Sequence, residues 1–349
     1  MIILNILLLI LILGILILIH EFGHFLFAKL CKVHIYEFSI GMGPAIKTIK
    51  GKDKVDYSIR ALPIGGYVSM AGEVNEDDGR VRKDHFMCNK PWYQKIVILA
   101  AGVTFNFILA LILLFAIGMI WGSPNHEPII GKIMDNTPIA RTETEVGDRI
   151  THINGSKIGS IDEAQIRFML KEKDKAYDIT IEKPNGQTEE IVLKKATIET
   201  EEGEEYEGFG FNFQSEKETG FIASIKYAFT KFVITIETMC ITIGHLFTTK
   251  LSLSNLSGPV GMYTAVEQSV SLGMVNVVYL TALLSINLGF LNILPIPAFD
   301  GGRILFLIIE KIKGSPINPK VENIIHTIFF GLLMLLMVYI TLSDIFKLF

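Results

Sequence analysis

Cysteine is scarce. The 349 residues contain three, Cys31, Cys88 and Cys240, with no CxxC and no Cys/His cluster. That argues against a disulfide framework or a thiolate metal site. Charge is thin as well. Only 19% of residues are charged and mean hydropathy is +0.43, against about 25% charged in soluble domains, so an integral membrane protein is expected. The net charge of −4 hides an asymmetry. Residues 29–95 hold 12 Lys+Arg against 8 Asp+Glu, whereas residues 122–222 hold 12 against 21. These opposite excesses argue against a nucleic-acid-binding chain with one basic face. They suggest two aqueous regions on different sides of a bilayer.

Positive charge is also missing from the start: no Lys or Arg precedes Lys29, and no A-x-A follows the first apolar run. Residues 2–19 are therefore expected to be a retained first span, extending to about residue 30, rather than a cleaved signal peptide. Further spans are expected from Ile96 to about Trp121, over 274–296 and over 324–343. The fold class is a polytopic α-helical membrane protein with about four transmembrane helices and an inserted small, mostly β domain. Its expected divisions are 1–121, 122–219, 220–273 and 274–349. Basic loops at 29–95 and after the third span (Arg303, Lys311, Lys313, Lys320) put those segments in the cytoplasm and the acidic 122–222 outside. Residues 220–248 are nearly long enough to span, but Lys226, Lys231, Glu237 and His245 interrupt them. A helix on the outer membrane surface is favoured over a fifth span.

The inserted segment carries short apolar stretches such as RITHI and DITIE, with turn signals at Asn154-Gly155 and Pro184-Asn185-Gly186. The stretch DEAQIRFMLK has helical spacing, with Asp162 as its cap.

Chemistry concentrates in His20-Glu21-Phe22-Gly23-His24. On a helix, i and i+4 share a face, so His20 and His24 can offer two imidazole nitrogens to one metal while Glu21 flanks it. Catalytic zinc takes three protein ligands and a water whose pKa falls to about 7, which Glu21 would deprotonate. Ionisable groups directly behind an apolar run are costly, and functional by default. A third ligand at similar depth is available in NLGFLNILPIPAFDGGRILF, where Asp300 is the only carboxylate between Glu267 and Glu310. Pro295 and Pro297 should break the helix before it, and non-helical backbone at membrane depth implies a protein-lined cavity. Asn292 and Asn287 could bond substrate or an oxyanion; helix–helix bonding is an equal alternative for Asn287.

These two motifs together resemble the site-2 protease family of intramembrane zinc metalloproteases. FSIGMGP (38–44), LPIGGYVSMAGE (62–73), AAGVTFN (100–106) and Ser257-Gly258-Pro259-Val260-Gly261 are similar too. The nearest subgroup is the bacterial regulator of sigma-E protease type. The resemblance implies peptide hydrolysis in a bacterial inner membrane, with His20, His24 and Asp300 as ligands to Zn2+ and Glu21 as acid/base. Implied substrates are single-pass membrane proteins, such as trimmed anti-sigma factors or remnant signal peptides. It also implies that the inserted segment is one PDZ domain, carrying Gly147-Asp148-Arg149-Ile150 but lacking the usual Gly-Leu, where Glu145 and Val146 stand. Val103 replaces a usual proline. In the family, the loop over Val55–Met70 dips into the membrane; here Gly65, Gly66 and Tyr67 would contact substrate, with Gly65-Gly66 as a turn. The alternative is an ordinary cytoplasmic hairpin. A silent scaffold or a zinc transporter would have no use for Glu21.

Overall fold

The computed structural model describes residues 2–72, 81–169, 176–199, 205–214, 216–247 and 258–346. The chain divides into two compact units, Met1–Leu113 with Leu253–Phe349, and Leu114–Ser252. Among the described residues, five helices are long and apolar enough to cross a membrane. Backbone surrounded by lipid must satisfy its own polar groups, and an apolar run does so as a helix.

In the first unit, α1 (Ile2–Leu30) buries Asn5, Ile12, Leu16, His20, Gly23, His24 and Ala28. Asn5, Ile12, Leu16, His20, His24 and Ala28 are spaced seven or four residues apart and draw one stripe toward the protein, which Gly23 and Phe25 widen near the end of the helix. Helix α2 (Trp92–Trp121) approaches that stripe closely. A Cβ on Gly23 would lie 2.5 Å from the Ala101 carbonyl oxygen, so the backbones meet at a position where only glycine fits.

Between these helices, β1 (Ile35–Lys50) and β2 (Asp56–Met70) form an antiparallel hairpin whose turn lies at 51–55. Its register is doubled. Phe38 pairs with Val68 and also with Tyr57, so Glu37–Ile40 is flanked by two stretches of β2. Asp56–Ile59 runs alongside Glu37–Ile40 in the same sense and Gly66–Ser69 in the opposite sense, so β2 turns back on itself between Ile59 and Gly66, beside the expected Gly65-Gly66 turn. Gly66 pairs with Ile40 inside β2, and Gly65 supplies a left-handed φ of 83°. The hairpin's inner face, with Phe38, Val55, Val68 and Met70, packs with Phe25 and Ala28.

The later part of this unit contains α5 (Pro259–Ser271), α6 (Met274–Ile293), α7 (Asp300–Lys313) and α8 (Pro319–Phe346). The third apolar run stops at Ile293, and Asp300 opens a new helix instead of continuing the old one. The residues expected to be a short basic connection are mostly α7. Likewise 259–271, expected to be linker, is the helix α5. Asp344 near the end of α8 accepts the backbone N–H groups of Gly258 (2.7 Å) and Gly261 (3.0 Å), capping α5.

The second unit is a small β domain with a long helix. Strands β3 (Ser123–Pro124), β4 (Ile130–Ile133), β5 (Arg149–Ile153), β6 (Ser156–Lys157), β7 (Tyr177–Glu182) and β8 (Thr188–Leu193) precede β9 (Ala196–Glu199), β10 (Glu205–Gly208), β11 (Phe211–Phe213) and β12 (Lys217–Glu218). The central sheet has the order β6-β5-β7-β8; β11 pairs with β4 and β12 with β3. Its core is built from Ile130, Ile150, Ile153, Tyr177, Ile179 and Ile181, the inward positions of alternating strands.

Helix α3 (Ile161–Met169) follows a cap that differs from the expected one. Ser160 Oγ accepts the Glu163 N–H at 3.2 Å, while Asp162 accepts from Lys231 Nζ at 2.6 Å. Lys231 belongs to α4 (Phe221–Phe247), one of the five candidate spans.

Candidate metal centre

Three ligand atoms converge in the first unit. His20 Nε2 lies 3.1 Å from His24 Nε2, and Asp300 Oδ2 lies 3.0 Å from the former and 3.3 Å from the latter. Corners of a tetrahedron around an ion bound at ~2.0–2.1 Å are separated by about 3.3–3.4 Å. The triangle is therefore slightly tighter than a zinc ligand set and of the right shape. Asp300 Oδ2 is buried without a hydrogen-bond partner. A desolvated carboxylate oxygen in that state needs a cation.

The far sides of the imidazoles are engaged. His24 Nδ1 lies 2.9 Å from the Ile98 carbonyl oxygen in α2, to which it can only donate, leaving the Nε2 lone pair facing Asp300. His20 Nδ1 lies 3.2 Å from Asn106 Nδ2, while Asn106 Oδ1 is buried without a partner. Turning that amide over lets Oδ1 accept an Nδ1–H, giving His20 the same tautomer as His24. Asn106 is itself fully buried, and its backbone oxygen accepts Ser285 Oγ at 2.8 Å.

Gly102 completes the wall. A Cβ there would lie 2.5 Å from His24 Nε2 and 2.8 Å from His20 Nε2, so only a hydrogen leaves room for the ligand atoms. Four residues separate Gly102 from Asn106, which puts both on the α2 face toward α1. The motif AAGVTFN was visible in the sequence, yet neither role was assigned to it. The available signal was a glycine and an amide four apart in an apolar helix.

Glu21 is half-buried next to His20, and β2 passes beside it. A Cβ on Gly66 would lie 3.8 Å from Glu21 Cγ. Tyr67 is placed otherwise. Its hydroxyl donates to Glu37 Oε2 at 2.6 Å and accepts from Arg60 Nη2 at 2.5 Å, in a brace across the hairpin. Burial and the Glu37 carboxylate push its phenol up to about 12. Asn292 is half-buried in the last turn of α6. The break before Asp300 is tight: Cβ atoms on Gly301 and Gly302 would collide with the Ile293 and Ile296 carbonyl oxygens. Those glycines let α7 fold back against the end of α6.

Residues 8–336 match the model of peptidase family M50. The chain is 32% identical to the zinc metalloprotease RasP of Bacillus licheniformis, covering 97% of this chain and 98% of that protein. Identity to the regulator of sigma-W protease RasP of Bacillus subtilis is also 32%, with the same shares. A putative zinc metalloprotease of Clostridium acetobutylicum is 35% identical over 98% of this chain and 97% of its own length. A match of that extent, together with a His-His-carboxylate triangle, means that the chain belongs to peptidase family M50, the site-2 proteases, and is a multi-pass membrane zinc metalloprotease.

Proposed function

We propose that His20, His24 and Asp300 hold the zinc ion, that Glu21 is the catalytic acid/base, and that the substrates are single-pass membrane proteins cut in or near their spanning segment. The observation that carries this is the convergence of three ligand atoms whose outer nitrogens are already held. Zinc there would supply a Lewis acid and a water acidified to react near neutral pH. Glu21 takes the proton of the attacking water and returns it to the leaving amine. The buried Asn106 and the Ile98 carbonyl hold the two rings in orientation, so neither imidazole must reorganise.

A substrate helix presents no free carbonyl until it unwinds. The Gly66–Met70 edge of β2, next to Glu21, suits an extended peptide that adds a strand, giving recognition tolerant of sequence. Asn292 would bond such a peptide from the end of α6. The loop charges favour a cytoplasmic side for this site and an outer side for the β domain, which we assign as a PDZ module. A groove of ≈660 Å³ between α3 and β11, lined by Phe168, Phe211 and Phe213, fits docking of a peptide there. The Bacillus subtilis relative is named a regulator of sigma-W protease, which favours anti-sigma factors as the substrate class; remnant signal peptides are the second.

Glu21→Gln tests the mechanism. The variant should retain zinc and fail to cleave a model single-pass substrate in proteoliposomes. Equal cleavage by variant and wild type refutes the role of Glu21.

A further inference from the structure

A second cavity lies within the Leu114–Ser252 unit, far in sequence from the zinc ligands. It measures ≈190 Å³, room for roughly six waters at ~30 Å³ each. Three polar atoms that are buried without a hydrogen-bond partner belong to residues of its wall: Ser123 Oγ, His126 Nε2 and Arg149 Nε. Ser123 is only 4% exposed. Buried polar atoms need partners, and three in the wall of one cavity make it a place where a polar ligand can be held. The neighbouring cation Lys231 is occupied by Asp162 at 2.6 Å. Among the described residues, no carboxylate forms an ion pair with Arg149. At the exposed rim stand Lys226, Glu127 and Glu218, so the wall offers both signs of charge.

The height of this cavity follows from the chain. Ser123 comes two residues after the end of α2 at Trp121, a 30-residue apolar helix with a terminal aromatic of the kind that sits at headgroup level. Pairing of β3 with β12 holds Ser123 and Pro124 against Lys217 and Glu218, and α4 starts three residues later. Helix α4 exposes Phe221, Ile225, Phe229 and Val233 along one stripe. Ala223, Lys226, Tyr227, Thr230 and Ile234, on another face, line the cavity. One side of α4 thus suits hydrocarbon, and the other closes a polar chamber where α2 leaves the bilayer.

We propose that this cavity binds the headgroup of a zwitterionic phospholipid, its phosphate on Arg149, Ser123 and Lys226 and its ammonium toward Glu127 and Glu218. A phosphate accepts from donor-only groups such as the Arg149 Nε–H, and a primary ammonium satisfies the rim carboxylates. The lipid would hold the β domain's entry and exit strands at a set height on the membrane, independently of the protease chemistry.

Native mass spectrometry of the full-length protein in detergent tests this, with phosphatidylethanolamine, phosphatidylglycerol and soluble phosphoethanolamine as probes. One phosphatidylethanolamine should be retained per chain, about tenfold more strongly than phosphatidylglycerol, with phosphoethanolamine competing. The double variant Arg149→Gln, Ser123→Ala should lose about tenfold or more of that retention. Wild-type retention by this variant, or equal retention of the two lipids, overturns the proposal; a chamber filled by water alone gives that result. Because Arg149 lies in a sheet strand, the exposed rim supplies a second pair. Lys226→Ala should weaken retention of both lipids, and Glu218→Gln should abolish the preference between them. No change in either variant refutes the assignment even if the double variant misfolds.

Discussion

Gly102→Ala adds one methyl group to a wall that has no space for it. The new Cβ would stand 2.5 Å from His24 Nε2 and 2.7 Å from His20 Cε1. Heavy atoms in contact keep roughly 3.5–4.0 Å, so the rings must retreat by about 1 Å. Ligand distances at a metal site tolerate only about ±0.2 Å, so the triangle with Asp300 cannot survive that retreat. Overpacking of this kind costs about 1–3 kcal/mol of stability. The loss in metal affinity should be larger, because even disturbing an outer partner of a ligand costs about 10–100-fold. The matched control is Gly331→Ala in α8, where a Cβ meets nothing within 4 Å. It should be neutral or stabilise the helix by about 0.5–1 kcal/mol. The assay is zinc per chain by elemental mass spectrometry after dialysis against graded chelator, beside thermal unfolding and cleavage of a single-pass substrate. A Gly102→Ala protein with wild-type zinc retention and turnover would refute this placement of the ligands.

Asn106→Leu should leave the protein folded but lower zinc affinity about 10–100-fold, read by the same chelator series; unchanged retention would mean that His20 needs no partner. Asp344→Ala strips the cap from Gly258 and Gly261 and should cost about 1–3 kcal/mol in thermal unfolding; an unaltered transition would show α5 to be held by its apolar contacts alone. His126 gives a pH signature. Burial, reinforced by the Lys231 charge, pulls its pKa down to about 4, so the fold favours neutral imidazole. Its contribution is complete above pH ~6.5 and is lost as pH falls from there toward about 4. Unfolding of the full-length protein across that window should be steeper for wild type than for His126→Gln, and equal slopes would count against the buried neutral ring.

Long apolar runs were easy to locate in the sequence because lipid leaves helix as the only solution. The first run ends at Leu30 in the structure, the second at Trp121, and the third begins at Met274. Shorter helices were harder. Helix α5 mixes Thr, Glu, Gln and Ser with its apolar residues, and α7 carries Arg303, Lys311 and Lys313, so both passed for connecting chain. Their helicity comes from packing and from the Asp344 cap, neither of which has a local signature. The Gly65-Gly66 turn was legible from composition, since β2 reverses between Ile59 and Gly66; that Gly66 also lets the strand pass Ser39 and Glu21 closely was not, because it depends on contacts distant in sequence. At Asp162 two uses of a carboxylate competed, and the distant Lys231 outweighed the local cap. Of the candidate metal centre, His20, His24 and Asp300, which the structure brings together, were legible from spacing and depth. Gly102 and Asn106 were not, because their parts depend on how closely α2 meets α1.

Asp300 stands 276 positions after His24 in the chain. On the proposed assignment, an ion shared by His20, His24 and Asp300 would also be a crosslink, tying the first helix to a segment near the other end and closing a loop that contains the whole β domain. Long loops gain most from closure in chain-entropy terms. Metal content and mechanical integrity would then be one property. Chelation should loosen the 294–299 break before any other part of the first unit, as faster amide exchange there, and the protease would lose its shape and its chemistry together.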